Sequence, residues 1–201
     1  MNQIGEIKQN KSLALAFIPL AIAINVGIGA IVKALNLPLY VDSVGTILAT
    51  ILLGWGYGSI VGVLGFIITT IFINPFAIYF CGTQVAISLF IHLMGKIGWL
   101  KNVFKSVVSG IGLGIVAAII SAPVIIFVFQ GATGNGAALV TSFFVKMGNQ
   151  IINSIFMAGF SIEPIDKTLQ VLLAFFILKG IPKSLLAHFK SGTLKRNGFI
   201  D

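Results

Sequence analysis

Long apolar runs recur from Leu13 to Lys179 and leave little sequence between them. A helix rises 1.5 Å per residue, so about 20 apolar residues match a hydrocarbon core of about 30 Å. Runs of that length predict helices that cross a bilayer, where every backbone polar group must be satisfied inside the segment. Composition agrees: 57% of residues are hydrophobic and 9% charged, where soluble domains run near 25% charged. The sequence therefore reads as an all-α, polytopic integral membrane protein, with 1–201 as a single membrane domain.

Proline, glycine and charge punctuate the runs. They predict spans near Leu13–Ala34, Val44–Leu53, Ser59–Ile73, Val85–Leu100, Phe104–Phe129 and Ile165–Ile181, a six-helix bundle over 13–182. The second is too short to cross upright and is expected to tilt or to extend through its polar ends. Lys8 and Lys11 precede the first run as in a signal peptide, but the run continues past Ala21-Ile22-Ala23 to Ala34 and reads as a retained span.

Six crossings put residues 1–12 and the basic tail 183–201 on one side. Ten of the thirteen basic residues then share that side: Lys8, Lys11, Lys96, Lys101, Lys105, Lys179, Lys183, Lys190, Lys195 and Arg196. By the positive-inside rule that face is cytoplasmic. The net charge of +8 is thus a topology signal, and no aromatic-basic patch points to nucleic acid. The other side keeps Lys33, Lys146 and Lys167 with Asp42, Glu163 and Asp166.

Small residues form seams where helices can approach closely. Ala23, Gly27, Ala30 and Ala34 share a face of the first span, Gly58 and Gly62 make a GxxxG, and Gly110, Gly114, Ala118 and Ala122 repeat every four positions. Packing within the bundle is the expected use, and the first seam could instead serve a partner subunit.

Nothing in the pattern reads as catalysis or metal binding. Gly131 to Gly136 lacks the Lys-Ser/Thr ending of a phosphate loop. His92 stands alone in its span and is expected to bond across helices or touch a ligand, while the single Cys81 permits no internal disulfide or thiolate cluster. Glu163 and Asp166 flank Pro164 at a span entrance, where Asp166 can cap the helix. No paired acid and base appears, so neither an enzyme nor a cofactor is expected, and no intramembrane acid is seen for proton coupling.

What remains is a set of polar and aromatic residues on the outer half: Asn25, Tyr40, Asp42, Asn74, Tyr79, Gln84, Gln130, Thr133 and Asn135. To these the stretch FFVKMGNQIINSIFMAGF, residues 143–160, adds Lys146, Asn149, Gln150 and Asn153. With Ser142 their spacing predicts one polar stripe along a helix, bathed in water or facing a cavity, since lipid exposure costs several kcal/mol per unsatisfied group. Such a set suits a small polar molecule better than an inorganic ion. The candidate solute-binding residues are Tyr40, Asp42, Asn74, Tyr79, Gln84, Lys146, Asn149, Gln150 and Asn153.

Leu37-Pro-Leu-Tyr-Val-Asp-Ser-Val-Gly-Thr46, Gly131 to Gly136, Asp166-Lys167 and Ile181-Pro182-Lys183, together with six spans in about 200 residues, resemble the substrate-binding S components of energy-coupling factor (ECF) transporters. The resemblance runs from about Ile18 to Pro182. It implies a vitamin receptor that docks on a transmembrane coupling subunit carrying two cytoplasmic ATPases, and is toppled in the bilayer by their ATP cycle. It implies docking through Ala23, Gly27 and Ala30, and solute contacts from the loop after the first span, the third loop and the last helices. A pyridine or pyrimidine compound, vitamin B6 or the hydroxymethylpyrimidine precursor of thiamine, is the first preference, with pantothenate next. A self-sufficient facilitator or channel is the alternative, and an intramembrane enzyme or assembly factor the third.

Overall fold

The computed structural model describes residues 11–131, 136–189 and 191–200. Lys8, Thr133, Asn135 and Lys190 lie outside the described residues. All regular structure within them is helical: α1 (Lys11–Ala34), α2 (Val44–Leu53), α3 (Trp55–Phe72), a 3₁₀ turn (Ala77–Phe80), α4 (Cys81–Lys96), α5 (Val103–Phe127), α6 (Gly136–Lys146), α7 (Ile151–Gly180), α8 (Lys183–Ala187) and α9 (Gly192–Arg196).

Four segments are long and apolar enough to cross a membrane: Leu15–Ala34, Trp55–Phe72, Ala77–Lys96 and Val103–Phe127. Their outer faces carry exposed Leu20, Ile31, Ile60, Ile71, Ile115, Ile119 and Phe127. A continuous apolar exterior of this kind marks a lipid or partner surface. Together these features suggest a membrane protein.

The ten residues of α2 are all buried. At about 15 Å the helix is half a bilayer long, and it is the axis around which α1, α3, α4 and α7 pack. Val44, Ile47, Leu48, Ile51 and Leu52 supply its apolar contacts. Gly54, at φ +101°, turns the chain directly into α3; the left-handed backbone there favours glycine. On α3, an added Cβ at Gly58 would meet Thr50 and Ser88, and one at Gly62 would meet Gln84 and Thr46. The GxxxG seam therefore lets α3 approach α2 and α4. The Gly110 and Gly114 positions of α5 likewise press on Thr168 and Pro164 of α7. Both seams pack within the bundle, as expected. The first seam differs: Ala23 and Gly27 are exposed, with open space around a Cβ at Gly27, while half-buried Ala30 turns toward an interior cavity.

Two expectations are corrected at the C-terminal half. The last long helix begins at Ile151, not near Ile165, and runs through Pro164 without ending. Glu163 and Asp166 thus lie deep in α7 rather than at its entrance, and Asp166 is no cap. The second correction concerns the polar stripe, which is not one helix. Gly148, at φ +91°, ends α6, with Gly148 N–H donating to the Val145 carbonyl and Asn149 N–H to the Phe144 carbonyl at 2.9 and 3.4 Å. That pair of bonds is the Schellman ending, in which a left-handed glycine satisfies the last carbonyls.

The chain after Pro182 is folded rather than extended. Leu186, Phe189, Leu194, Phe199 and Ile200 are buried in the same apolar core as Leu100 and Leu178. Asn197 accepts from Leu100 N–H at 2.8 Å and donates to the Gly95 carbonyl at 2.9 Å, and Ser191 donates to the Ile51 carbonyl at 2.7 Å. Arg196 donates to the Lys96 carbonyl. Residues 183–189 and 191–200 therefore close the end of the bundle where Lys96, Lys101, Lys105, Lys179, Lys183, Lys195 and Arg196 gather.

Candidate binding site

At the opposite end of α4 the bundle opens into a cavity with about 1090 Å³ of empty space, its open mouth included. Its walls come from the second half of α1, the connection 35–43, the C-terminal end of α3, the start of α4, and α5 and α7.

The connection 35–43 is held by side chains, because α2 begins in the protein interior where no water can satisfy its first amides. Asn25 of α1 supplies part of the cap: its Oδ1 accepts from Gly45 N–H at 2.7 Å and Thr46 N–H at 3.3 Å. Gln170 of α7 accepts from Ser43 N–H at 2.8 Å. Asp166 Oδ1 accepts from Tyr40 N–H at 2.9 Å and Val41 N–H at 3.0 Å. Val41 has φ +44°, a costly conformation for a β-branched residue, and the Asp166 bonds hold it there.

The side chains continue the network across the bundle. Asn25 Nδ2 donates to Thr46 Oγ1, which donates to Gln84 Oε1; Gln84 Nε2 donates to Ser43 Oγ, which donates to Asp42, at 2.8 to 2.9 Å each. Gln170 and Lys167 both donate to Asp166 Oδ2 at 2.6 Å. One connected polar chain thus joins α1, α2, α4 and α7. Buried polar groups satisfied in this way fix one arrangement of the helices.

Lys167 is the centre of charge. Its ammonium lies 2.6 Å from Asp166, 3.4 Å from Glu163 and 3.9 Å from Asp42, and 5.5 Å from the Tyr40 ring centroid. Glu163, 4% exposed, lines the cavity, and its Oε2 has no hydrogen-bond donor. In the connection outside the helices, burial pushes the Asp42 carboxyl up, with Lys167 opposing, and burial pushes the Tyr40 phenol up as well. At the mouth, Lys33 donates to the Ile73 carbonyl at 2.8 Å and ties the end of α1 to the end of α3, a favourable place for a cation. Phe66, Phe80 and Phe129 form an apolar wall, the last two stacked at 5.7 Å.

Of the sequence-derived solute-binding residues, Tyr40, Asp42, Asn74 and Gln84 line this cavity. Tyr79 is exposed beside it and does not. Lys146, Asn149, Gln150 and Asn153 do not line it either. Lys146 ends α6 on the surface, Asn149 Nδ2 donates to the Phe144 carbonyl at 3.1 Å, Gln150 begins α7, and Asn153 is exposed. Neutral polar groups do line the cavity, from Asn25, Ser43, Thr69, Asn74, Thr83, Gln84 and Ser121, and beside them stand two carboxylates, Asp42 and Glu163, and two ammonium groups, Lys33 and Lys167. Glu163, Lys167 and Ser43 escaped the sequence reading as lining residues, although Glu163, Asp166, Lys167 and Gln170 recur at 3, 1 and 3 positions, the spacing of one helical face. His92 makes no bond through Nδ1 and stands away from the cavity lining. Among the described residues no three His, Cys, Asp or Glu side chains are arranged to hold a metal ion.

Fold and site together define a class: an apolar helical bundle with a charged cavity at one end and a basic cap at the other. Comparison with models of known families, with curated proteins and with solved structures finds no match to this chain.

Proposed function

We propose that this chain is the solute-binding subunit of an energy-coupling factor importer in the plasma membrane of a bacterium. It binds a water-soluble vitamin or vitamin precursor from outside, and a transmembrane coupling subunit with two ATPases moves that solute inward. In this reading α1 to α5 and α7 mark the six crossings of an S-component bundle, with α2 as a short buried one and both termini cytoplasmic.

The observation that carries the proposal is the polarity of the two ends. The cavity, with Tyr40, Asp42, Gln84, Glu163 and Lys167, opens at one end of α4, and the basic residues gather at the other. The positive-inside rule turns the cavity outward. Holding a buried charged network inside lipid is costly, and such a network marks a solute pathway.

Calorimetry of the purified chain alone, against a panel of water-soluble vitamins, tests the reading. Tight binding of one member without any ATPase is expected, and no binding across the panel contradicts it. Solute flux in liposomes holding only this chain would favour a stand-alone facilitator instead. The docking half has its own test. Gly27→Leu fills open space on the exposed face of α1, so it is expected to abolish capture of the coupling subunit while leaving vitamin affinity unchanged; loss of affinity instead would place that face inside the solute site.

A further inference from the structure

Two buried carboxylates, Glu163 and Asp166, and the half-buried Asp42 share the ammonium of Lys167. Asp166 takes most of that charge, at 2.6 Å, and also accepts from Gln170 and from two backbone amides. Asp42 is 3.9 Å from the ammonium and accepts from Ser43 Oγ, and Glu163 Oε2 is 3.4 Å from the ammonium and accepts no hydrogen bond among the described residues. Both line the cavity. Buried carboxylates without a full partner are costly, and a cation that enters between them removes the cost.

The same geometry works against an anion. Lys167 is hemmed in by carboxylates and offers no free hemisphere of positive potential. Lys33, the other cation of the lining, sits at the mouth with its ammonium on the Ile73 carbonyl. The facing wall of Phe66, Phe80 and Phe129 together with Tyr40 presents aromatic faces, which attract cations and stack with rings.

We infer that the cavity selects a positively charged solute, a ring or short chain bearing an ammonium or a cationic ring nitrogen, seated with its charge against Glu163 and Asp42. This inference rests on the receptor reading above and specifies its solute class. The carboxylates act as the selectivity element, the aromatic wall holds the uncharged body, and Asp166 keeps Lys167 in place so that the site is not neutralised outright.

Two pairs of probes that differ in charge test it at about pH 7, the first on one shared ring and the second by the addition of a thiazolium ring. Pyridoxamine carries an ammonium where pyridoxine carries a hydroxyl, and thiamine carries a fixed cation that hydroxymethylpyrimidine lacks; pantothenate supplies a carboxylate. In calorimetry on the full chain, the cationic member of at least one pair is expected to bind at least about tenfold more tightly than its neutral partner, and Glu163→Gln is expected to erase that preference. Tighter binding of a neutral member or of pantothenate overturns the inference and leaves the receptor reading standing. If none of the five binds while a neutral or anionic vitamin of the wider panel does, the inference alone is overturned; no binding across that panel overturns both. A Glu163→Gln protein that folds and keeps the full preference also overturns the inference; if it does not fold, Asp42→Asn, at a side chain 25% exposed, is read in the same way.

Discussion

Two polar stretches of this chain have nearly the same spacing and opposite fates. Lys146, Asn149, Gln150 and Asn153 advance by 3, 1 and 3, and so do Glu163, Asp166, Lys167 and Gln170. The first set straddles the break at Gly148 and points to the surface or to its own helix end. The second lies within one uninterrupted helix, faces α2 and the connection 35–43, and is buried throughout. Spacing alone therefore does not locate a site. Continuity of the helix, and a partner that needs the polar groups, decide which stripe goes inside. Here the partner is the N-terminus of α2, whose buried amides must find acceptors.

The contrast can be broken experimentally, and the largest effect is expected at Asp166. Asp166→Ala removes the acceptor for Tyr40 and Val41 N–H and the closest counter-ion of Lys167. Breaking a buried pair in this way costs about 3 to 5 kcal/mol. Thermal unfolding in detergent should show a large drop in midpoint or a failure to fold; a wild-type midpoint would deny that the second stripe holds the bundle together. A middle-sized effect is expected from Asn25→Ala, which uncaps α2 at Gly45 and Thr46 and should cost about 1 to 2 kcal/mol by the same measurement. The smallest effect belongs to the first stripe. Asn153→Ala should stay within about 0.5 kcal/mol of wild type, and a larger loss would mean that its surface position is occupied by something the isolated chain depends on.

The helical membrane class was legible in the composition, and so were the approximate places of α1 to α5, because long apolar runs bounded by glycine and charge admit little else. The packing of Gly58, Gly62, Gly110 and Gly114 was legible too, since a small-residue seam has one economical use between helices. Part of the candidate cavity followed from Tyr40, Asp42 and Asn74 of the connections and Gln84 of α4, which polarity singles out in an apolar chain. The place of Glu163 and Lys167 in its lining did not follow. Pro164 reads as a helix boundary in the sequence, although proline is tolerated inside a membrane helix where neighbours compensate, and Gly114 of α5 packs against it here. That one reading moved Glu163 and Asp166 from the interior to a helix entrance. The cue for the other error stood in the sequence as well: Gly148-Asn149 after an apolar helix is a C-terminal signal, and it separates Lys146 from Asn153. The use of Asn25 and Gln170 as caps for a distant helix was not legible, because nothing local links residues so far apart.

On the proposed function the cavity at Glu163 and Asp42, and not the polar stretch 146–153, holds the solute. The decisive comparison is calorimetric titration of the wild-type chain, Glu163→Gln and Asn153→Ala with the tightest vitamin probe. Wild-type affinity is expected for Asn153→Ala, and at least about tenfold weaker binding for Glu163→Gln. Weakened binding by Asn153→Ala with Glu163→Gln unaffected would contradict that placement of the solute.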